Sequence, residues 1–154
     1  MLNKLISDEW FAGHIYKQFI MLVKPECRSA ISEPMLDVAN DEIDDHYKNL
    51  IEFAIENGYS IPVTYNEMKK FADKEDVKLF ENCKKDEDAM WYVNKSINAE
   101  DRAIKTYEKY VDQNWLNSEP MLQIIVRNNY YDEVEHLKTF KFIHDSFEAM
   151  RNFI

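Results

Sequence analysis

Between Leu2 and Val23 the positions Leu2, Leu5, Glu9, Ala12, Tyr16, Phe19 and Val23 follow one another at alternating spacings of three and four. That period belongs to the inward stripe of a bundle helix, and Glu9 is the charged residue in the middle of it. Lys24-Pro25-Glu26-Cys27 reads as a loop. Ser32-Glu33-Pro34 then reads as an N-cap with proline in the first turn of a second helix, which runs to about Asn57 and stops at Gly58. Residues from Tyr59 to about Lys74 contain Pro62 and a capping box, Thr64-Tyr65-Asn66-Glu67, so they form a long connection carrying one short helix. A third helix is expected from near Asp73 to near Asn114, with a stripe of Ala89, Val93, Ser96, Glu100, Ala103, Tyr107 and Tyr110. A fourth opens at Asn117-Ser118-Glu119-Pro120 and buries Leu122, Val126, Asn129, Glu133, His136, Phe140, Ile143, Phe147 and Met150. The class is all-α.

The two halves repeat each other. Ile6, Glu9, Ala12 and Tyr16 match Ile97, Glu100, Ala103 and Tyr107 at an offset of 91, and Asp41 and Glu42 match Asp132 and Glu133 at the same offset. Ser-Glu-Pro-Met-Leu also occurs twice, at 32–36 and 118–122, but at an offset of 86, which makes it a shared helix-start signal outside the register. Two helix-loop-helix halves joined by a long connection make a four-helix bundle, with one glutamate from each helix in the same core layer. Four carboxylates buried alone would cost several kcal/mol each, so they must be protonated, paired or bound to metal. Glu133-x-x-His136 adds an imidazole on the same helix face, and the second helix offers Glu42 with His46. Four carboxylates and two imidazoles suit two iron ions, or manganese, better than zinc.

Composition agrees with this reading without creating it. The 154 residues carry 29 acidic and 19 basic side chains, a net charge of −10, with only 2 glycines and 4 prolines. An all-β fold would need more turn residues, and a nucleic-acid binder would show a basic face. The N-terminal residues lack the apolar core of a secretory signal, and the longest apolar run, Phe19 to Val23, cannot span a bilayer. The expectation is one domain over 1–154, soluble and cytoplasmic, with no nucleic-acid or membrane partner. Cys27 and Cys83 have no metal-ligand spacing and read as structural or incidental.

The combined pattern, from Glu9 to His136, resembles the ferritin-like di-iron carboxylate family, nearest in style to bacterioferritins and Dps-like ferritins; the ligand set of that family is a Glu from each of two helices and Glu-x-x-His from each of the others. The resemblance implies a ferritin-like four-helix bundle with a long crossover between helices 2 and 3. It places Glu9 and Glu100 at the lone-glutamate positions, Glu42 and Glu133 at the bridging positions, and His136 at a terminal histidine position. It further implies two irons per subunit, oxidation of Fe(II) by O2 or H2O2, a role in iron storage or protection against peroxide, and a homo-oligomer.

Three departures qualify the match. Three residues, Ile43, Asp44 and Asp45, separate Glu42 from its histidine where the family has two. Leu50 and Phe53 match Phe140 and Ile143 at an offset of 90, consistent with a one-residue insertion held as a π-bulge, with His46 as the ligand; Asp45, at i+3, is the alternative. Ile43 follows Glu42 where haem-binding relatives carry methionine, so no haem is expected. No residues remain for a short fifth helix, which argues against a 24-mer and leaves a dimer or 12-mer.

Around this set, Tyr16 and Tyr107 each lie seven residues beyond a lone glutamate and act either as catalytic tyrosines, bonding a carboxylate or delivering an electron, or as core tyrosines with satisfied hydroxyls. Gly13 permits close packing, or makes room for the bulged helix or a small oxidant. His14 and His144 read as packed or surface histidines, Trp10, Trp91 and Trp115 as core or interface aromatics, and Lys84 to Asp88 as a solvated face. Two other functions stay open: a di-iron oxidase or oxygenase acting on an organic substrate, and a non-catalytic interaction module whose inward acids are paired with Lys or Arg.

Overall fold

The computed structural model describes residues 1–113 and 118–151. Four long helical rods form the bundle. The first is α1 (Leu2–Leu22). The second is one continuous rod of three parts: α2 (Arg28–Asn40), a π-helical segment (Asp41–Tyr47) and α3 (Lys48–Glu56). A crossover carrying the short helices α4 (Tyr65–Phe71) and α5 (Lys74–Glu81) leads to α6 (Ala89–Val111), and α7 (Pro120–Arg151) completes the bundle. Among the described residues there is no strand. No helix among them is long and apolar enough to cross a membrane.

Side-chain pairs set the directions. Tyr16 meets Glu100 while Tyr107 meets Glu9, so α1 and α6 run antiparallel. Asp41 meets His136 while His46 meets Asp132, so the π segment and α7 also run antiparallel. The crossover therefore joins two rods of the same direction, which is the topological reason for its length.

Two apolar clusters lie along the bundle. One gathers Phe11, Ile15, Phe19, Ile31, Met35, Tyr92, Val93 and Phe140; the other gathers Leu5, Ile6, Leu50, Phe53, Leu122 and Val126. On every rod the residues between the two clusters are polar and buried: Glu9, Glu42 with His46, Glu100, and Glu133 with His136.

Several local expectations change. The second rod starts at Arg28, so Ser32-Glu33-Pro34 is helix interior. Pro25 opens a 3-10 turn instead, and the Arg28 guanidinium donates to the Ile20 and Met21 carbonyls at the end of α1 (2.8 and 3.3 Å). The second copy of the pentapeptide does start a helix, with Pro120 first in α7. The expected third helix is broken after Glu81. There Asp86 N–H donates to the Leu22 carbonyl (2.8 Å), Lys24 N–H to that of Glu87 (3.0 Å), and the Asp88 side chain caps α6 at Trp91 N–H (3.0 Å). Residues 84–88 are thus a connection pinned to the end of α1. Thr64 caps α4 through Glu67 N–H as expected, and Gly58 ends the second rod at φ +73°. Met150, expected inward, is exposed, and Trp115 lies outside the described residues.

Candidate metal centre

The six side chains singled out by the sequence converge. Glu9, Glu42, His46 and Glu133 each bring one donor atom into a common cluster, and Glu42, Glu100, Glu133 and His136 form a second that shares Glu42 and Glu133. All six residues are buried, at 0–5% exposure. The two groups overlap at the Glu42 and Glu133 carboxylates, and each could hold a metal ion.

The histidines are arranged alike. His46 Nδ1 faces the cluster at 2.9 Å from Glu133 Oε1 and 3.4 Å from Glu9 Oε2, while its Nε2 lies 2.8 Å from Asp132 Oδ2. His136 Nδ1 is 2.9 Å from Glu42 Oε1, and its Nε2 is 2.9 Å from Asp41 Oδ2. An N–H at Nε2 donated to an aspartate leaves the Nδ1 lone pair for a cation. Asp41 and Asp132 were visible in the sequence only as partners in the repeat. Their contact is between rods, so helix periodicity carried no signal for it.

His46 reaches the cluster because the π-helical segment absorbs the extra residue. Asp45 instead points outward and accepts a hydrogen bond from Asn49 (2.9 Å). Gly13 makes the bulge possible: a Cβ there would collide with Ile43 Cγ1 and stand 2.6 Å from its Cδ1. Of the roles open to Gly13, the one its surroundings match is room for the displaced chain, since Ile43 fills the space.

The tyrosines exchange partners across the pseudo-symmetry. Tyr16 donates to Glu100 Oε1 (2.7 Å) and Tyr107 to Glu9 Oε1 (2.6 Å). Only Tyr107 receives a further bond, from buried Asn129 (3.0 Å). Burial first, and then the neighbouring carboxylates, hold both phenols well above their usual range. His14 packs on Trp10 with ring centroids 4.2 Å apart, and His144 sits beside Asp145, so neither joins the cluster. Trp10 packs edge-on against Phe11, Tyr65 and Phe80, and Trp91 lies beneath Lys95. Cys27 and Cys83 are free thiols.

Burial and then the Glu133 and Glu9 carboxylates push Glu42 well above the usual carboxylate range, and burial with Glu133 does the same to Glu100. Burial also opposes charge on Glu133, but the adjoining Glu100, His136 and His46 side chains outweigh it and hold that carboxyl well down. For His136, burial opposes the charged form, while Glu100 and Glu133 push the imidazole up to about 12. His46 is likewise raised, by Glu9, Asp132 and Glu133 against the effect of burial.

The donors fit metal. Glu9 Oε2, Glu42 Oε1, Glu100 Oε2, both Glu133 oxygens and both histidine Nδ1 atoms are buried without a hydrogen-bond partner. The other polar atoms of these residues that face outward are bonded to Tyr16, Tyr107, Asp41 and Asp132. Only inward-facing atoms are left unsatisfied, and unpaired buried donors and acceptors are rare unless something binds there. Among the described residues, no Lys or Arg makes an ion pair with the four glutamates.

The sequence profile of the ferritin-like domain matches residues 1–150. Among solved structures, the bacterioferritin-related protein from Bacteroides fragilis, described as a dodecameric thioferritin, superimposes with a TM-score of 0.77 at 18% identity, covering 98% of this chain and 86% of that one. No curated protein matches significantly. Carboxylates repeated through both halves, a crossover joining parallel rods, and a profile match over nearly every residue lead to one family: the chain belongs to the ferritin-like proteins.

Proposed function

We propose that the protein is a ferroxidase that takes two Fe(II) ions into the bundle centre and oxidises them with O2 or H2O2, for iron storage or protection against oxidative stress. The observation that carries this reading is the convergence of unsatisfied donors from Glu9, Glu42, His46, Glu100, Glu133 and His136 on two overlapping positions. Glu42 and Glu133 bridge the two ions. Glu9 with His46, and Glu100 with His136, complete one position each. Iron is the substrate; manganese fits the same donors. No haem is assigned.

Each Fe(II) supplies one electron. With H2O2 the two electrons and two protons yield two waters; with O2 they yield H2O2. The protein holds the ions in place through carboxylates that cancel their charge, and Asp41 and Asp132 keep the Nδ1 lone pairs directed inward. Tyr16 and Tyr107 donate hydrogen bonds to Glu100 and Glu9 and fix the orientation of those carboxylates. The acidic surface draws in cations.

Glu42→Ala and Glu133→Ala are expected to abolish fast Fe(II) oxidation, followed by stopped-flow absorbance. Rates equal to wild type would reject the assignment. An oxidase acting on an organic substrate is less well supported, because the void beside the cluster measures about 20 Å³, enough for a water molecule and not for an organic ligand. A homo-oligomer is supported by Met121, Ile124, Tyr131 and Phe142, all exposed on α7, and sedimentation of the purified protein measures its size.

A further inference from the structure

The cluster has two unlike sides. The histidines and their aspartates close it toward the π segment and α7. Toward α1 and α6 a narrow corridor leads away from Glu9 and Glu100; Ala12, Ala99 and Ala103 line it together with the larger Tyr16 and Tyr107. The corridor holds a void of only about 20 Å³ and ends at Asp8, Asp73, Asp76 and Arg102, where the crossover helix α5 lies across its mouth.

Arg102 is the plug. Its Nη2 donates to Asp76 Oδ1 at 2.6 Å, and its Nε lies 3.6 Å from Asp73 Oδ1. That Nε is buried without a hydrogen-bond partner, so one strong bond and one long contact hold the guanidinium in place. Asp73 N–H in turn donates to Asp8 (2.7 Å), which also pairs with Lys4 (3.0 Å). On its other side Arg102 lines a wide surface groove of about 350 Å³ that also contains Glu75. Arg102 thus borders both voids, and the groove also holds the Glu75 carboxylate, which lies 3.6 Å from Lys78.

We propose that Fe(II) reaches the dinuclear cluster through the α1–α6 corridor, and that Arg102, held across its mouth by Asp76 and Asp73 of the crossover, is the gate. A divalent cation arriving at the three aspartates competes with the guanidinium for Asp76 and Asp73; Arg102 then turns into the outer groove, and the cation passes the alanines to Glu9 and Glu100. The crossover thereby acquires a role beyond connecting two parallel rods. This inference rests on the dinuclear reading above.

The test uses Co(II), whose visible absorption reports arrival among carboxylate and imidazole donors without any redox step. Metal-free protein is mixed with Co(II) in a stopped-flow instrument, and circular dichroism melting verifies that each variant is folded. Arg102→Gln breaks a partly exposed ion pair and is expected to speed Co(II) arrival about three- to fivefold. Ala103→Leu fills the corridor and is expected to slow it about tenfold. Both variants should reach the wild-type stoichiometry. A folded Ala103→Leu protein that binds at the wild-type rate overturns the corridor, and an unchanged rate in Arg102→Gln overturns the gate. Wild-type protein that takes up no Co(II) at the cluster would instead overturn the dinuclear reading, which separates the two failures.

Discussion

A buried imidazole can bind a cation only through the nitrogen that its other contacts leave free. His46 and His136 are both settled by an aspartate from the opposite half, at 2.8 and 2.9 Å, and both aspartates are about half exposed. Asp132→Asn and Asp41→Asn keep the shape and remove the charge that favours an N–H at Nε2. Each is expected to weaken metal binding about 10- to 100-fold, measured by Co(II) titration, without changing the fold. The two tyrosines differ in one detail that the repeat does not share: Asn129 bonds Tyr107, and its counterpart at offset 91 is Val38. The four glutamates and His136 stood out in the sequence as candidate donors because polar residues on an apolar stripe contrast with it, whereas His46 was not separated from Asp45. Asp41 and Asp132 did not stand out, because an exposed acid beside a buried one looks like ordinary surface until the neighbouring rod is in place.

At the scale of elements, the π-helical segment decides whether the second rod can offer a histidine. An α-helical i+3 spacing would turn Asp45 inward, whereas the π segment carries His46 in and leaves Asp45 with Asn49. Gly13 on α1 accommodates the bulge by yielding its side-chain volume to Ile43. Gly13→Ala is therefore expected to destabilise the protein by about 1–3 kcal/mol through overpacking, although alanine is intrinsically the better helix former. Ile43→Ala in the same chain should restore much of the loss. The thermal or urea unfolding of both single variants and the double variant gives the coupling; strict additivity would show that the two residues do not compete for this space. The one-residue slip in the repeat was readable from Leu50 and Phe53. The break after Glu81 was not, because the contacts that impose it, Asp86 to Leu22 and Lys24 to Glu87, join residues more than sixty positions apart.

The molecule as a whole balances a polar layer between two apolar clusters, and protons or cations must neutralise that layer. His136, raised from 6.5 to about 12 in the metal-free state, contributes stability that is fully present below pH 6.5 and is lost as the pH climbs toward about 12. The melting temperature of metal-free protein is thus expected to fall between pH 7 and pH 10 from this group. Bound metal replaces the protons, so Co(II) should raise the melting temperature and do so more at pH 8 than at pH 6, where protons compete for the donors. Scanning calorimetry at both pH values with and without chelator checks the sign; equal gains at the two would reject proton competition. By itself the sequence determined the all-α class, the bundle and the crossover, and it singled out Glu9, Glu42, Glu100, Glu133 and His136 as candidate donors, because each is written in a local period of three and four or in the match between halves; between His46 and Asp45 it did not choose. Tertiary structure alone decided which nitrogen of each histidine is free, which side of the cluster is walled by alanines, and where Arg102 lies. Those features depend on contacts between rods distant in sequence, and a helical period specifies which face is buried without specifying what it is buried against.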